Sequence, residues 1–287
     1  MQKEEPSSVV AVVTGSSSGI GLETSLLLAR NGIRTYATVH NMDRAHELFD
    51  TLKKEKNKLS LEVLALDVTH ENSVKTAIDR IVNESGRIDI LVNNAGYGLI
   101  GALEDIPIDE ARAHFDTNLF GPIRVIQNVL PIMRKQKKGT ILNISSMGGR
   151  IAFPLSSTYS GTKFALEGLS ESLSYEVEQF GIKVILIEPG VVRTNFGKSM
   201  KKIGKTMNVN SPYAKLLEIR EATRKERLQT SSISQEEVAK IILQAITSPE
   251  PEARYVVGED AKRLLESKNS MTDNEFKKLM LKSFSKD

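Results

Sequence analysis

Short apolar runs alternate with longer amphipathic stretches along most of the chain. The first apolar run covers residues 9–13, and residues 23–30 then carry Leu26, Leu27 and Ala29 at helical spacing. Short continuous apolar runs are typical of buried strands, whereas apolar residues three or four positions apart favour amphipathic helices. The pattern therefore predicts strands and helices that follow one another in turn.

The same alternation of apolar runs and amphipathic stretches continues along the rest of the chain. The predicted strands cover residues 9–13, 34–39, 61–66, 88–92, 140–144, 182–187 and 254–257. The predicted helices cover residues 23–30, 43–56, 71–84, 108–134, 157–180 and 234–246, the fourth being interrupted at Gly121 and Pro122. Near-continuous apolar strands are typical of a parallel sheet that helices cover on both faces. With right-handed crossovers, the pattern predicts an α/β, doubly wound Rossmann fold whose parallel sheet has about seven strands.

The pattern loosens after Pro189. Residues 195–232 are polar and Lys-rich, and we expect them to form an inserted flap. Ser234 and Glu237 have the spacing of a helix capping box. Residues 267–287 are a charged tail, helical or frayed. Because no linker or repeat interrupts the chain, we expect one domain over residues 1–287.

Composition and charge exclude several classes of function. The 39 basic and 36 acidic residues leave a net charge of +3, which is too even to indicate a nucleic-acid partner. The absence of cysteine excludes disulfides and a cysteine nucleophile, and with four scattered histidines we expect no metal site. We see no signal-peptide pattern and no apolar run long enough to span a membrane. We therefore expect a soluble, cytoplasmic protein.

A glycine-rich loop, with the sequence TGSSSGIG, occupies residues 14–21 between the first strand and the first helix. Glycines allow a tight turn and let backbone N–H groups approach a pyrophosphate, which the positive end of the helix dipole also attracts. Glycine-rich turns also serve as plain strand-to-helix connections. The position directly after a strand favours a dinucleotide site.

The end of the second strand bears on the choice of cofactor. An acidic residue there binds the ribose 2′-hydroxyl of NAD. Here Val39 stands at that position, His40 follows it, and Arg44 is close by. An acid at this position would repel a 2′-phosphate. Because none is present, we expect NADP(H) rather than NAD(H). The alternative is that Val39 and His40 only complete the strand.

Tyr159 and Lys163 are four residues apart in a predicted helix and therefore share one face. Tyrosine is a poor base at neutral pH, because its pKa is near 10. A neighbouring ammonium group favours the phenolate, which makes Tyr159 a candidate acid–base catalyst. Taken alone, the pair also fits a surface tyrosine beside a solvated lysine.

Several further motifs occur in order between Thr14 and Thr194, and with them the chain resembles the short-chain dehydrogenase/reductase family. The matching positions are the loop at residues 14–21, Asp67 and Val68, the N-N-A-G segment at residues 93–96, Asn118, Ser146 thirteen residues before Tyr159, Pro189, Gly190 and Thr194. Ser145 is adjacent to Ser146, and strand alternation would point only one of them into the site.

The resemblance implies roles for individual residues. Tyr159 would exchange a proton with the substrate oxygen, Ser146 would donate a hydrogen bond to it, and Lys163 would hold the ribose and lower the Tyr159 pKa. Asn118 would support a water linked to Lys163, and Asn93 would lie behind the adenosine ribose. The implied cofactor contacts are Gly15, Ser17, Ser18, Gly19, Ile20, Gly21, His40, Asp67, Val68, Asn94, Ala95, Gly96, Tyr159, Lys163, Pro189, Gly190, Val192 and Thr194.

The sequence thus predicts an oxidoreductase that moves a hydride between NADP(H) and a small-molecule carbonyl or alcohol. The alternatives are an NAD(H)-dependent enzyme of the same family and a non-catalytic dinucleotide-binding regulator. Residues 94–104, 163–169 and 187–190 look like segments of 17β-hydroxysteroid and retinol dehydrogenases.

The long predicted helices resemble those that pair in family dimers, and apolar residues such as Val125 and Leu173 lie on them. We therefore expect a homodimer or homotetramer.

The lysines of the flap indicate either an acidic substrate or a solvated face. They are Lys198, Lys201, Lys202 and Lys205.

Overall fold

The computed structural model describes residues 9–193 and 200–284, except for the side chain of Arg44. The strands are β1 Val10–Val13, β2 Arg34–Val39, β3 Leu61–Ala65, β4 Ile90–Asn93, β5 Leu99–Ile100, β6 Gly139–Ile144, β7 Ile182–Pro189, β8 Val192–Arg193, β9 Lys201–Lys202, β10 Ile233–Ser234 and β11 Arg254–Val257. The helices are α1 Gly19–Arg30, α2 His46–Lys54, α3 Glu71–Ser85, α4 Ile108–Phe115, α5 Gly121–Gln136, α6 Ser157–Val177, α7 Gly204–Met207, α8 Ala214–Thr230, α9 Gln235–Thr247, α10 Glu259–Ser270 and α11 Asp273–Ser283.

Seven of these strands form one parallel sheet in the order β3-β2-β1-β4-β6-β7-β11. The strand order reverses at β1, so the crossovers run outward in both directions from the centre. The carboxyl ends of β1 and β4 are therefore neighbours, and a ligand crevice is expected there. The predicted doubly wound parallel sheet is confirmed.

Strand alternation divides the interior into two apolar layers. Val10 and Val12 of β1 face one layer, which also contains side chains of α3, α5 and α6. Ala11 and Val13 face the other, which contains side chains of α1 and α9. Successive residues of a strand point to opposite faces, so a continuous apolar strand serves both layers.

The predicted long helix over residues 108–134 is two helices joined by a π-helical turn at Asp116–Phe120. Pro122 lacks a backbone N–H and stands in the first turn of α5, where that group would have no helical partner. A Cβ at Gly121 would lie 2.8 Å from Val68 Cγ2, so glycine permits the close approach. The π-helical turn carries Asn118.

Two residues expected on an intersubunit face are instead internal. Val125 and Leu173 are buried in the first apolar layer, at 0% and 9% exposure. They face the sheet because that side of each helix covers it. The exposed aromatic residues in this region include Phe120, Phe164 and Tyr175.

The flap region and the tail are more regular than their composition indicates. Residues 195–232 include β9, α7 and the 17-residue helix α8. The predicted capping box at Ser234 and Glu237 is confirmed. A second box at Thr272 and Glu275 begins α11, whose Phe276 is buried. Within the described ranges, no helix is both long and apolar enough for a membrane span.

Candidate active site

The glycine loop turns sharply after β1 and packs against the end of β4. Gly15 has a φ of +71°, and a Cβ there would lie 2.8 Å from the Cα of Ala95. A Cβ at Gly21 would lie 2.4 Å from Asn94 Nδ2 and from the Gly15 carbonyl oxygen. Both positions therefore require glycine, one for its backbone conformation and both for lack of space.

The loop leads directly into the N-terminus of α1. Ser18 is the N-cap residue, yet its side chain makes no capping hydrogen bond, and the first turn contains no acidic residue. The N–H groups at a helix start have no helical acceptors, and the helix dipole makes this end positive. The start of α1 is thus equipped to bind an anionic group.

A large cavity, here called the main cleft, opens at this end of the sheet and has a volume of about 570 Å³. Its lining includes Gly15, Ser17, Ser18, Gly19, Ile20, His40, Asp67, Val68, Asn94, Ala95, Gly96, Asn118, Ser146, Tyr159, Lys163, Pro189, Gly190 and Val192. The structure thus brings most of the sequence-predicted residues together. Gly21 does not line the cleft but lies beneath the loop, and Thr194 lies outside the described residues.

The end of β4 braces the glycine loop from below. The Asn94 side-chain amide donates to the carbonyl oxygens of Thr14 and Gly15, at 2.9 and 3.0 Å. The Thr14 hydroxyl oxygen accepts from the backbone N–H groups of Asn94 and Ala95. Asn93 does not line the cleft; its side chain is buried and donates to Asn143 Oδ1 at 2.9 Å.

The edge of the cleft beyond β2 is polar and exposed. His40 Nε2 lies 3.0 Å from Asp67 Oδ2, and His70 Nδ1 lies 2.8 Å from the same oxygen. The other oxygen of Asp67 accepts from the backbone and hydroxyl of Thr69. Burial opposes ionisation of Asp67, but these hydrogen bonds and His40 together lower its pKa.

The side chain of Val39, where an acid would favour NAD, does not line the cleft, and its role in the choice of cofactor stays a prediction. Its side chain is fully buried in an apolar cluster with Leu22 and Leu48, because strand alternation turns it away from the cleft. His40, the next residue, lines the cleft instead. The side chain of Arg44 is outside the described part of the structure.

Tyr159 and Lys163 both line the cleft, as the spacing predicted. Burial raises the pKa of Tyr159 above its ordinary value, although a hydrogen bond with Ser146 opposes the change. Burial also lowers the pKa of Lys163 to about 8, against the attraction of Glu167. The Lys163 ammonium donates to the Ile144 carbonyl oxygen at 2.7 Å. Desolvation is the largest influence on the Tyr159 pKa, and the expectation that Lys163 lowers it stays a prediction.

Asn118 is held by the backbone of Tyr97. Its Oδ1 accepts from the Tyr97 N–H at 3.0 Å, and its Nδ2 donates to the Tyr97 carbonyl oxygen at 2.9 Å. The π-helical turn positions this side chain, as such turns do at functional sites. Its predicted link to Lys163 through a water stays a prediction.

Sequence reasoning overlooked a buried histidine beside this group. His114 Nε2 lies 2.9 Å from the Tyr97 carbonyl oxygen and 3.0 Å from Asn118 Nδ2. The His114 ring stacks with Tyr159 at 6.1 Å between centroids. Burial lowers the pKa of His114, and Lys163 lowers it further, against the hydrogen bond to Tyr97. The sequence offered one signal for this contact: His114 precedes Asn118 by four residues on one helical stretch, so the two side chains share a face.

A second space, here called the side cavity, has a volume of about 180 Å³. It shares Ser146, Tyr159, Gly190 and Val192 with the main cleft. The rest of its lining is mainly apolar, with three arginines from α8 that no sequence motif indicated. The flap lysines Lys201 and Lys202 do not line it; they pair with surface carboxylates, which favours the solvated interpretation. Lys198 lies outside the described residues.

Comparisons with known proteins agree with this architecture. The sequence model of the family described as short chain dehydrogenase matches residues 9–203. The chain is 38% identical over 250 residues to the oxidoreductase BOA17 of Botryotinia fuckeliana, covering 87% of this chain and 88% of that protein. It is 35% identical over 260 residues to human 17-beta-hydroxysteroid dehydrogenase type 1, covering 87% and 77% respectively.

Solved protein structures are also similar to this chain. A short-chain dehydrogenase from Streptomyces avermitilis superposes with a TM-score of 0.81 at 31% identity, covering 99% of this chain and 100% of that one. ElxO, solved with NADP bound, superposes with a TM-score of 0.70 at 27% identity, covering 87% and 96%. By the extent of the family match and of these similarities, the chain belongs to the short-chain dehydrogenase family of nucleotide-binding oxidoreductases.

Proposed function

We propose that the protein transfers a hydride between NADP(H) and the carbonyl or secondary alcohol carbon of a small molecule. The observation that carries this proposal is the meeting of the main cleft and the side cavity at Ser146 and Tyr159. One space has the size and polarity for a dinucleotide, and the other is smaller and mainly apolar. Two reactants can thus be held against the same pair of hydroxyl groups, which favours reaction between them.

The residues present fit a dinucleotide. The first-turn N–H groups of α1 would bind its phosphates, and the lack of a Cβ at Gly15 and Gly21 lets the loop pack closely against the end of β4. When bound, the cofactor supplies or accepts the hydride. Around the phosphates we place Ser17, Ser18, Gly19 and Ile20; near the adenosine Asp67, Val68, Asn94, Ala95 and Gly96; and near the nicotinamide Pro189, Gly190 and Val192. The role expected for Thr194, which is outside the described residues, stays a prediction.

Tyr159 is suited to donate a proton to a carbonyl oxygen, because burial keeps its phenol protonated at neutral pH. Ser146 is placed to donate a hydrogen bond to the same oxygen, where negative charge develops during reduction. The phenolate left on Tyr159 needs a nearby positive charge. Lys163 lies one helical turn away and, with a pKa of about 8, is largely charged at neutral pH.

NADP(H) is proposed over NAD(H) because of the polar edge after β2. His40 and Asn41 line the cleft there, and neither is an acid that would repel a 2′-phosphate. Both oxygens of Asp67 are engaged by neighbouring residues, so this acid is not free to bind a ribose 2′-hydroxyl. ElxO, which binds NADP in its solved structure, has the same fold.

The test is turnover of a broad panel of ketones, aldehydes and secondary alcohols with each of the four nicotinamide cofactors. In parallel, binding of the reduced cofactors NADPH and NADH is measured by their fluorescence. We expect carbonyl-dependent oxidation of NADPH, with a higher kcat/KM than for NADH. Cofactor binding with no turnover across the panel would contradict the proposal and support a non-catalytic regulator. A clear preference for NADH would contradict the cofactor assignment alone.

A further inference from the structure

One wall of the side cavity is formed by arginines of α8. Arg220, Arg224 and Arg227 lie four and then three residues apart, so they project from one face of the helix. All three line the cavity, and its described lining contains no aspartate or glutamate. The opposite charge that usually accompanies a partly buried arginine cluster is therefore missing from this lining.

Arg220 is the most enclosed of the three. Its side chain is only 13% exposed, and Nη2 donates to the hydroxyl oxygen of Ser156 at 3.1 Å. Nη1 is fully buried and has no hydrogen-bond partner among the described residues. The described carboxylate within ion-pair distance is Glu221, at 3.9 Å, and that group also accepts from Lys202. Arg220 thus lines the cavity while its Nη1 has no hydrogen-bond partner among the described residues.

The other two arginines add positive charge to this wall. Arg227 lies over the ring of Phe153, 5.9 Å from the centroid, and is attracted by Asp260. In the part of the chain that is described, neither Arg224 nor Arg227 has a carboxylate within 4.0 Å, and repulsion from Arg224 acts on Arg220. Buried charge is costly unless it is paired and hydrogen-bonded. Among the described residues the positive charge of this wall is thus only partly compensated, which favours an anionic ligand.

The position of the cluster relates it to the reacting centre. Ser156, which accepts from Arg220, is the N-cap residue of α6 and precedes Tyr159 by three residues, which is about one helical turn. The lining also includes apolar side chains. They are Leu99, Ile100, Met147, Phe153, Met200 and Phe284. The cavity thus combines the Ser146 and Tyr159 hydroxyls, apolar walls and guanidinium groups.

We propose that the substrate is an oxo acid or hydroxy acid: an apolar compound whose carboxylate pairs with Arg220 while its carbonyl or alcohol carbon lies at Tyr159. This inference rests on the proposed function and specifies its substrate class. A planar guanidinium can bind a carboxylate by paired hydrogen bonds, and Nη1 of Arg220 has no partner among the described residues. Arg224 would contribute attraction for the anion through its charge.

The same hydrogen bond between Arg220 and Ser156 also joins α8 to α6, so a loss of activity alone would not identify a substrate contact. The discriminating quantity is the ratio of kcat/KM for a carboxylate substrate to that for its neutral ester. A purely structural role would lower both values together. A carboxylate contact would lower the first far more than the second.

The experiment measures NADPH-dependent reduction of 4-acetylbenzoate, methyl 4-acetylbenzoate and 4-acetylphenyl phosphate, and of 9-oxodecanoate with its methyl ester. It compares the parent, Arg220→Met and the control Lys225→Met, which removes one positive charge from an exposed site on the same helix. We expect the parent to prefer carboxylates to esters by about 10- to 100-fold. Arg220→Met should reduce that ratio towards one, and Lys225→Met should leave it unchanged.

Calorimetric titration of 4-acetylbenzoate into the NADP⁺-saturated proteins separates binding from turnover. Ester turnover without a carboxylate preference, or equal losses for both substrates in Arg220→Met, would overturn the inference and leave the proposed function intact. A higher kcat/KM for 4-acetylphenyl phosphate than for either carboxylate would overturn the choice of carboxylate. Arg220-dependent binding with no carbonyl turnover would support the anion site and overturn the proposed reaction. If neither binding nor turnover is observed, both the substrate inference and the proposed function are overturned.

Discussion

Replacement of Glu188 by glutamine is expected to change how stability depends on pH. Glu188 is fully buried in β7, with its oxygens 3.5 Å from Arg150 Nη1 and 3.4 Å from Arg254 Nε. Neither oxygen has a hydrogen-bond partner among the described residues. Burial, reinforced by the neighbouring carboxylate of Glu167, raises the pKa of Glu188 to about 7 against the pull of the two arginines.

The direction of the effect follows from the two pKa values. In the unfolded chain Glu188 releases its proton near pH 4.5, whereas in the folded protein it does so near pH 7. Over this window the unfolded chain carries fewer protons, so the free energy of unfolding falls as pH rises and levels off above about 7. The full difference corresponds to roughly 3 kcal/mol. The Glu188→Gln variant lacks this titration and should gain roughly 2 to 3 kcal/mol relative to the parent between about pH 5 and pH 8.

The assay is urea unfolding of the parent and the variant at both pH values. The matched control is Glu171→Gln, because Glu171 also contacts Arg254, at 2.6 Å, but is exposed and has its pKa lowered by that contact. Its linkage acts below pH 4.5, so the control should follow the parent between pH 5 and 8. Parallel stability profiles for Glu188→Gln and the parent would refute the reasoning.

Three further predictions concern the cofactor, the loop and association. His40→Asp should shift the ratio of kcat/KM for NADPH and NADH towards NADH by about tenfold or more, and His40→Arg should shift it towards NADPH; no shift in either variant would contradict the role of this edge. Gly15→Ala should lower the free energy of unfolding by about 1–3 kcal/mol because of its positive φ and the contact with β4, whereas Gly168→Ala, with open space around it, should be neutral or stabilising in thermal melts. We also expect a homodimer or homotetramer in light scattering, with Phe120→Ser and Phe164→Ser weakening association; a monomer at micromolar concentration would contradict this.

The sequence predicted the sheet well because its strands are buried on both faces and appear as continuous apolar runs. It predicted the glycine loop and the pair Tyr159 and Lys163 because local spacing determines their geometry. The end of β2 was harder to interpret, because alternation places the Val39 side chain in the core and the His40 side chain in the cleft. A strand whose two faces are both apolar gives no signal for which residue faces which side.

The substrate side was not predictable, because it depends on contacts between distant segments. Arg220 meets Ser156 across 64 residues of sequence, and α8 is a polar helix with Ile219 as its buried residue. No local pattern distinguishes an arginine that enters a cavity from one on a solvated face. The burial of Glu188 was hidden for the same reason, because its neighbours Arg150 and Arg254 come from separate parts of the chain.

The central claim is that Tyr159 exchanges a proton with the substrate oxygen, and the Tyr159→Phe variant tests it most directly. This change removes the hydroxyl and keeps the ring, so cofactor binding and thermal stability should be retained. With a carbonyl substrate and NADPH, kcat should fall about 10²- to 10⁴-fold. The control Tyr175→Phe removes a hydroxyl from the same helix at a side chain that is 71% exposed, and should leave kcat unchanged. Turnover by Tyr159→Phe within a few-fold of the parent would contradict the account.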